Sequence, residues 1–122
     1  MENPKIQEFL VFNGEEVAAG GSLISKAFPL VNIQGYFSLK AAVSGDGTVK
    51  FEYMLSFGDD DFITFSDTLD VIASGITKTS GPGSDGKDIY PFSPPLASQI
   101  KIKVTETGAS NAATVTAYLG VQ

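Results

Sequence analysis

The sequence predicts an all-β protein, an antiparallel jelly roll or β-sandwich of about eight strands. Three observations lead there. From Thr48 to Phe57 the odd positions read Val49, Phe51, Tyr53, Leu55 and Phe57, whereas the even positions read Thr48, Lys50, Glu52, Met54 and Ser56. Near the C-terminus Ile100, Ile102 and Val104 alternate with Lys101, Lys103 and Thr105. A period of two sends successive side chains to opposite faces of a sheet, so each strand has a dry face and a wet one. Finally, the chain contains no long amphipathic helical pattern, no heptad and no internal repeat.

Taken in order, Phe9 to Phe12 is a short apolar run ended by the turn signal Asn13-Gly14. Ala18-Ala19-Gly20-Gly21 reads as a flexible joint. Residues 1–21 are therefore taken as an N-terminal arm or first strand, and residues 22–122 as the sandwich domain. Ser22 to Phe28 is the next strand, and Pro29 marks it as an edge or a strand start. Val31 to Val43 is long and β-prone, with Gly35 at the place of a bulge or a close backbone approach.

Asp46-Gly47 lies between two apolar runs, which is a hairpin signal. Val31–Val43 and Thr48–Phe57 are accordingly expected to be neighbouring antiparallel strands. Gly58-Asp59-Asp60-Asp61 turns the chain into Phe62-Ile63-Thr64-Phe65. Ser66 to Ser74 reads as a strand or as one helical turn after an Asp67 cap, with the strand favoured by Gly75 and the β-branched residues around it. Thr77 to Lys87, with Gly81-Pro82-Gly83, should be an exposed, mobile loop. Asp88 to Phe92 is a short strand ending at Pro94-Pro95. Ser98–Thr105 and Ala112–Val121 are expected to close the fold as a hairpin joined by Glu106 to Asn111.

Composition narrows the chemistry. The 122 residues fit one domain, and 43% hydrophobic residues with nine Phe suffice for a core. There is no Cys, which excludes disulfides, thiol nucleophiles and thiolate zinc sites. There is no His, which removes the commonest general base and transition-metal ligand. All eight basic residues are Lys, and the net charge is −6. An acidic chain without Arg, the favoured reader of phosphate and guanine, is not expected to bind nucleic acid. No apolar stretch reaches the length of a membrane span, and the N-terminus has no basic region followed by an apolar run, so no secretory signal is expected.

The remaining candidates are sparse. Asp59, Asp60 and Asp61 are oxygen-rich, yet their spacing is not that of an EF-hand loop, and turn chemistry explains them better than calcium. No carboxylate pair stands in an aromatic, concave context of the kind glycoside hydrolysis requires. Neither Gly45-Asp46-Gly47 nor Gly81-Pro82-Gly83 is a phosphate loop. Lys40, Lys50, Lys101 and Lys103 fit solvated strand faces that discourage edge pairing. Aromatic residues flank several loops, and most are expected to point inward. Phe9 and Phe12 on the N-terminal segment, with Phe62 and Tyr90 beside loops, are the candidate partner or glycan contacts. No catalytic residue, cofactor or metal site is assigned.

The order of features resembles small virion-associated β-sandwich proteins encoded in tailed phages and prophages. The resemblance runs from about Ser22 to Gln122. It rests on Ile33-Gln34-Gly35-Tyr36-Phe37-Ser38-Leu39-Lys40, the turn Gly45-Asp46-Gly47-Thr48, and a strand ending in Ser56 before an acidic glycine turn and Phe62. Pro94-Pro95-Leu96-Ala97, the strand Gln99 to Thr105 and a Thr/Ala-rich last strand complete it. This chain has Ser56-Phe57-Gly58-Asp59 where such sequences carry Ser-x-Asp-Gly, and Lys where the last strand often carries Arg. The resemblance implies a non-enzymatic virion component: a capsid decoration (cement) protein, or a tail or neck protein. It implies capsid or tail partners, a homo-oligomer with a trimer favoured, and location in the virion after synthesis in a host cytoplasm. The alternative is a carbohydrate- or receptor-binding module of a phage tail.

Overall fold

The computed structural model describes residues 6–31, 33–59, 61–64 and 75–122. They form two antiparallel sheets packed face to face. The strands are β1 (Gln7–Val17), β2 (Ser22–Ile24), β3 (Phe28–Pro29), β4 (Phe37–Gly45), β5 (Val49–Ser56), β6 (Ile63–Thr64), β7 (Lys87–Phe92), β8 (Gln99–Glu106) and β9 (Ala113–Val121). One sheet has the order β1-β9-β4-β7, and the other has β2-β8-β5-β6 with β3 also on β8.

β1 pairs with β9, β2 and β3 with β8, β4 with β7, and β5 with β6. The first half of the chain thus pairs with the second half in reverse, like one long hairpin rolled into two sheets. That is the jelly-roll arrangement. β2 and β3 are two pieces of one edge strand. Between Ile24↔Lys103 and Phe28↔Ile100 the edge carries one residue more than β8. Ser25 covers the break: its N–H donates to Ile102 O, its Oγ accepts from Ile102 N at 2.9 Å, and that hydroxyl donates to Lys26 O. Pro29 ends this edge, where its missing N–H costs no ladder bond.

Alternation fills the core. Leu39, Val49, Phe51, Tyr53, Ile100, Ile102, Val104, Val115, Ala117 and Leu119 are buried between the sheets. Rings interlock across it: Phe37 and Tyr53 each pack on Phe92 with centroids 5.4 Å apart. A fully buried side chain of this size contributes about 1.5–3 kcal/mol relative to exposure.

Both expected hairpins are replaced by arches between sheets. β4 pairs with β7 and β9, whereas β5 pairs with β6 and β8. Likewise β8 and β9 belong to opposite sheets. Alternation identifies the dry face of a strand but not its neighbour, and two consecutive strands can also bury their dry faces against each other across the slab. At the first arch Gly45 has φ +86°, and a Cβ on Gly47 would lie 2.8 Å from Asn111 O. That crowding brings the arch against its counterpart between β8 and β9.

Three local expectations also change. Asn13-Gly14 does not end a strand; β1 runs through it with register shifts between Leu10 and Phe12 and between Phe12 and Glu15. Gly14, at φ +61°, carries the second irregularity. The alternation of β5 stops before Phe57, because Ser56 turns inward to donate to Asp59 O and Oδ1, and Phe57 is left 77% exposed. The Thr77–Lys87 segment is closed by hydrogen bonds from Ser80 N to Thr77 O and from Gly86 N to Ser80 O. The expected strand Ser66–Ser74 lies outside the described residues.

Candidate functional site

The register places the two ends of the sandwich. β1, β4 and β8 begin at the end where β3, β5, β7 and β9 finish, as Gln7↔Val121, Phe37↔Phe92, Ser56↔Gln99 and Pro29↔Gln99 record. At the opposite end lie the β1–β2 turn and both arches.

The arch end is polar and tightly bonded. Glu106, the last residue of β8, occupies the inward position of the series Ile100, Ile102, Val104 and is itself buried. Its Oε1 accepts the N–H groups of Gly20 at 2.9 Å and Ala109 at 2.7 Å. Its Oε2 accepts those of Thr48 at 2.9 Å and Gly108 at 2.7 Å. One carboxylate therefore ties together the β1–β2 turn, the β4–β5 arch and the β8–β9 arch. These donors, Gly20 and Thr48 foremost, hold its pKa down at about 2. Nearby, Lys78 Nζ contacts Asp46 Oδ1 at 2.6 Å on the surface and holds the Asp46 carboxyl below its usual range.

The other end is apolar on its β5–β8 side. Phe57 follows β5, Leu96 precedes β8, Ile63 stands in β6 opposite Leu55, and Val31 follows β3. Their exposures are 77%, 88%, 65% and 56%. Pro94 and Pro95 stand in the same connection as Leu96. Gln7 Nε2 donates to Val31 O at 3.1 Å and Leu30 N to Ser98 O at 2.9 Å, which binds this corner to β1 and β8. These four stand at one end of the same sheet, ranged from its β3 side to its β6 edge.

A second feature lies on the outer face of the β1-β9-β4-β7 sheet. Across it the outward residues form two rows, Glu8–Gly120–Ser38–Pro91 and Leu10–Tyr118–Lys40–Ile89. Gly120 leaves a furrow of about 550 Å³ bounded by Ile6, Glu8, Tyr36, Lys40, Ile89 and Tyr118. Lys40 Nζ lies 5.9 Å from the centre of the Tyr118 ring. The outer face of the opposite sheet is more highly charged, with Lys50, Glu52, Lys101 and Lys103.

The four aromatic candidates are dispersed rather than joined in one site. Phe12 is buried in the core and presents nothing to a partner, because the bulge at Val11 turns it inward. Phe9 is half-buried with its ring 5.1 Å from that of Phe28. Tyr90 is half-buried opposite Leu39, and burial, with the charge of Asp88, raises its phenol pKa. Phe62 is partly exposed, with Lys101 Nζ 4.2 Å over its ring. Phe57, Leu96, Tyr36 and Tyr118 are more open than Phe9, Phe12 or Tyr90. Their signal lies in parity and in placement beside a break, since Tyr118 falls on the Thr face of β9 and Phe57 follows the last ladder residue of β5.

Of the acidic turn, Asp59 Oδ1 accepts from Ser56 Oγ at 2.9 Å and from Asp61 N at 3.3 Å, which is turn chemistry. Asp60 lies outside the described residues. Among the described residues no group of three acidic side chains is placed to hold a metal ion, and no helix is long and apolar enough to cross a membrane.

No protein-family model matches the chain, and no curated protein sequence does. Among solved structures it is similar to chains in the structures of infectious bursal disease virus. For the Gx strain the identity is 12% and the TM-score 0.46, over 96% of this chain and 31% of the other. For the Gt strain the identity is 10% and the TM-score 0.46, over 98% and 32%. The chain thus spans about a third of the length of those it matches.

Proposed function

We propose that the protein is a non-enzymatic structural component of a virion, a capsid decoration protein that works as a homo-oligomer, with a trimer as the expected state. The observation that carries this reading is the apolar end formed by Val31, Phe57, Ile63 and Leu96, opposite a polar end locked by Glu106. A rigid sandwich with one sticky end is suited to seat on a repeated surface, where several copies multiply a weak contact. The sequence supports a building piece over a catalyst, because it has no His and no Cys. Jelly rolls serve capsids and lectins alike, so the arrangement of strands alone does not choose between them.

The test is light scattering after size exclusion on the full chain, together with Phe57→Ser/Leu96→Ser. A compact oligomer that dissociates in the double variant, with the protein detected by mass spectrometry in purified particles from its source, supports the reading. A strict monomer absent from those particles overturns it.

A further inference from the structure

Gly120 sits inside β9, a central strand flanked by β1 and β4. Glycine weakens a strand and there marks a bulge, a bend or a place where something approaches closely. Neither of the usual internal reasons applies. Gly120 is not among the glycines with positive φ, and its pairings with Glu8 and Ser38 continue both ladders in regular step. A Cβ there would meet nothing nearer than Ser38 O at 3.8 Å, an ordinary contact. What the glycine keeps open is the outer face, as the floor of the 550 Å³ furrow.

We propose that this furrow is a binding site for a neutral saccharide. Its size is that of a small-molecule site. Tyr36 and Tyr118, 67% and 41% exposed, stand at its border, with Lys40 Nζ over one face of the Tyr118 ring. A pyranose has an apolar C–H face for a tyrosine ring and a rim of hydroxyls that both donate and accept. The border is mixed: the exposed Ile6 and Ile89 add apolar surface, and for the hydroxyl rim Glu8 accepts, Lys40 donates and Ser38 does both. Among the lining side chains one carboxylate and one ammonium offset each other, and the chain carries −6, so phosphorylated or acidic ligands are disfavoured. An extended peptide is disfavoured as well. Strand addition is closed to it, because the floor strands β9 and β4 each already have neighbours on both sides. A groove-docking peptide that shifts the amides of Tyr36 and Tyr118 where no neutral sugar does would overturn the proposal. The proposal adds recognition of a neutral sugar to the structural reading and does not depend on it, because Phe57 and Leu96 do not line the furrow.

The test uses the full chain on an array of neutral and acidic oligosaccharides, followed by NMR titration of the isotope-labelled protein with a bound neutral sugar. The expected result is capture of neutral glycans with shifts at the amides of Tyr36, Tyr118 and Gly120. Gly120→Val, which fills the floor, and Tyr118→Ala should each weaken binding on the order of tenfold or more. Thermal stability of Gly120→Val should be undiminished, and Phe57→Ser/Leu96→Ser should bind sugar normally. The proposal is overturned if no neutral sugar shifts these amides, if only acidic glycans are captured, or if Gly120→Val binds as well as the parent. It is also overturned if Gly120→Val leaves the sugar response intact but changes the mass of the oligomer, which makes the furrow a protein interface.

Discussion

The carboxylate of Glu106 accepts the N–H of Gly20 across 86 residues of sequence, at 2.9 Å. The same group accepts from Thr48, Gly108 and Ala109, so three connections of the sandwich share one acceptor. Gln at this position keeps one acceptor oxygen but turns an amide NH₂ toward two other donors. Glu106→Gln is therefore not a conservative change, and it strands buried N–H groups. Both Glu106→Gln and Glu106→Ala are expected to lower Tm, by on the order of 5 °C or more for a domain of this size. Circular dichroism melts read this directly; a Gln variant that melts with the parent would show that the four contacts add nothing.

The same carboxylate makes stability depend on pH. Its folded-state pKa is about 2 against an ordinary 4.5. A depressed pKa means that the folded state favours the charged form, so the stabilisation is fully present above about 4.5. It is lost as pH falls from there toward 2. The Tm difference between the parent and Glu106→Gln should be constant from neutral pH to about 5 and then shrink on acidification. Asp46→Asn serves as the control. Its partner Lys78 also lowers a carboxyl pKa, but that pair is on the surface, where solvent screening leaves little effect on Tm.

Two glycines separate fold from surface. A Cβ on Gly47 would stand 2.8 Å from Asn111 O and 3.0 Å from two atoms of Ala112, all backbone. Gly47→Ala must push the two arches apart and should cost about 1–3 kcal/mol. A Cβ on Gly120 meets only open space and Ser38 O at 3.8 Å. Gly120→Ala removes the entropic penalty of glycine in a strand and should stabilise by about 0.5–1 kcal/mol. Urea denaturation of the two variants tests the contrast; equal destabilisation would mean that the outer face of β9 is not free.

Fold class, and the facing of most strand residues, were legible because a period of two is written in β5, β8 and β9 and burial follows it. Partnership was not legible. Asp46-Gly47 and the Glu106–Asn111 loop look like hairpin turns, yet each joins opposite sheets, because a dry face can be satisfied by another sheet as well as by the same one. The anchoring role of Glu106 was within reach: it continues the inward series Ile100, Ile102, Val104, and a carboxylate on a dry face must find donors. Gly120 was harder, since strand pattern alone cannot say whether a glycine is needed for a bend or for a visitor. The apolar end needed the register, because Val31, the Phe57–Ile63 segment and Leu96 are separated in sequence and fall at one end only once β3, β5, β6 and β8 are aligned.

The first strand supplies the last test. As an arm, the run Phe9–Phe12 would order only on a partner and could be removed without harm to the core. In the sandwich, β1 pairs along β9 from Gln7 to Val17 and buries Val11, Phe12 and Val17. Phe12 is 2% exposed, whereas Leu10, two residues earlier, is 43% exposed beside Tyr118. Phe12→Ala is expected to cost about 3–5 kcal/mol, a large share of the 5–15 kcal/mol typical of a whole domain. Leu10→Ser should stay within about 0.5 kcal/mol, as outward positions usually do. Chemical denaturation of both variants decides between the two pictures. Equal, negligible effects would return residues 7–17 to the role of a detachable arm, and a large loss at Phe12 alone makes them a wall of the sandwich.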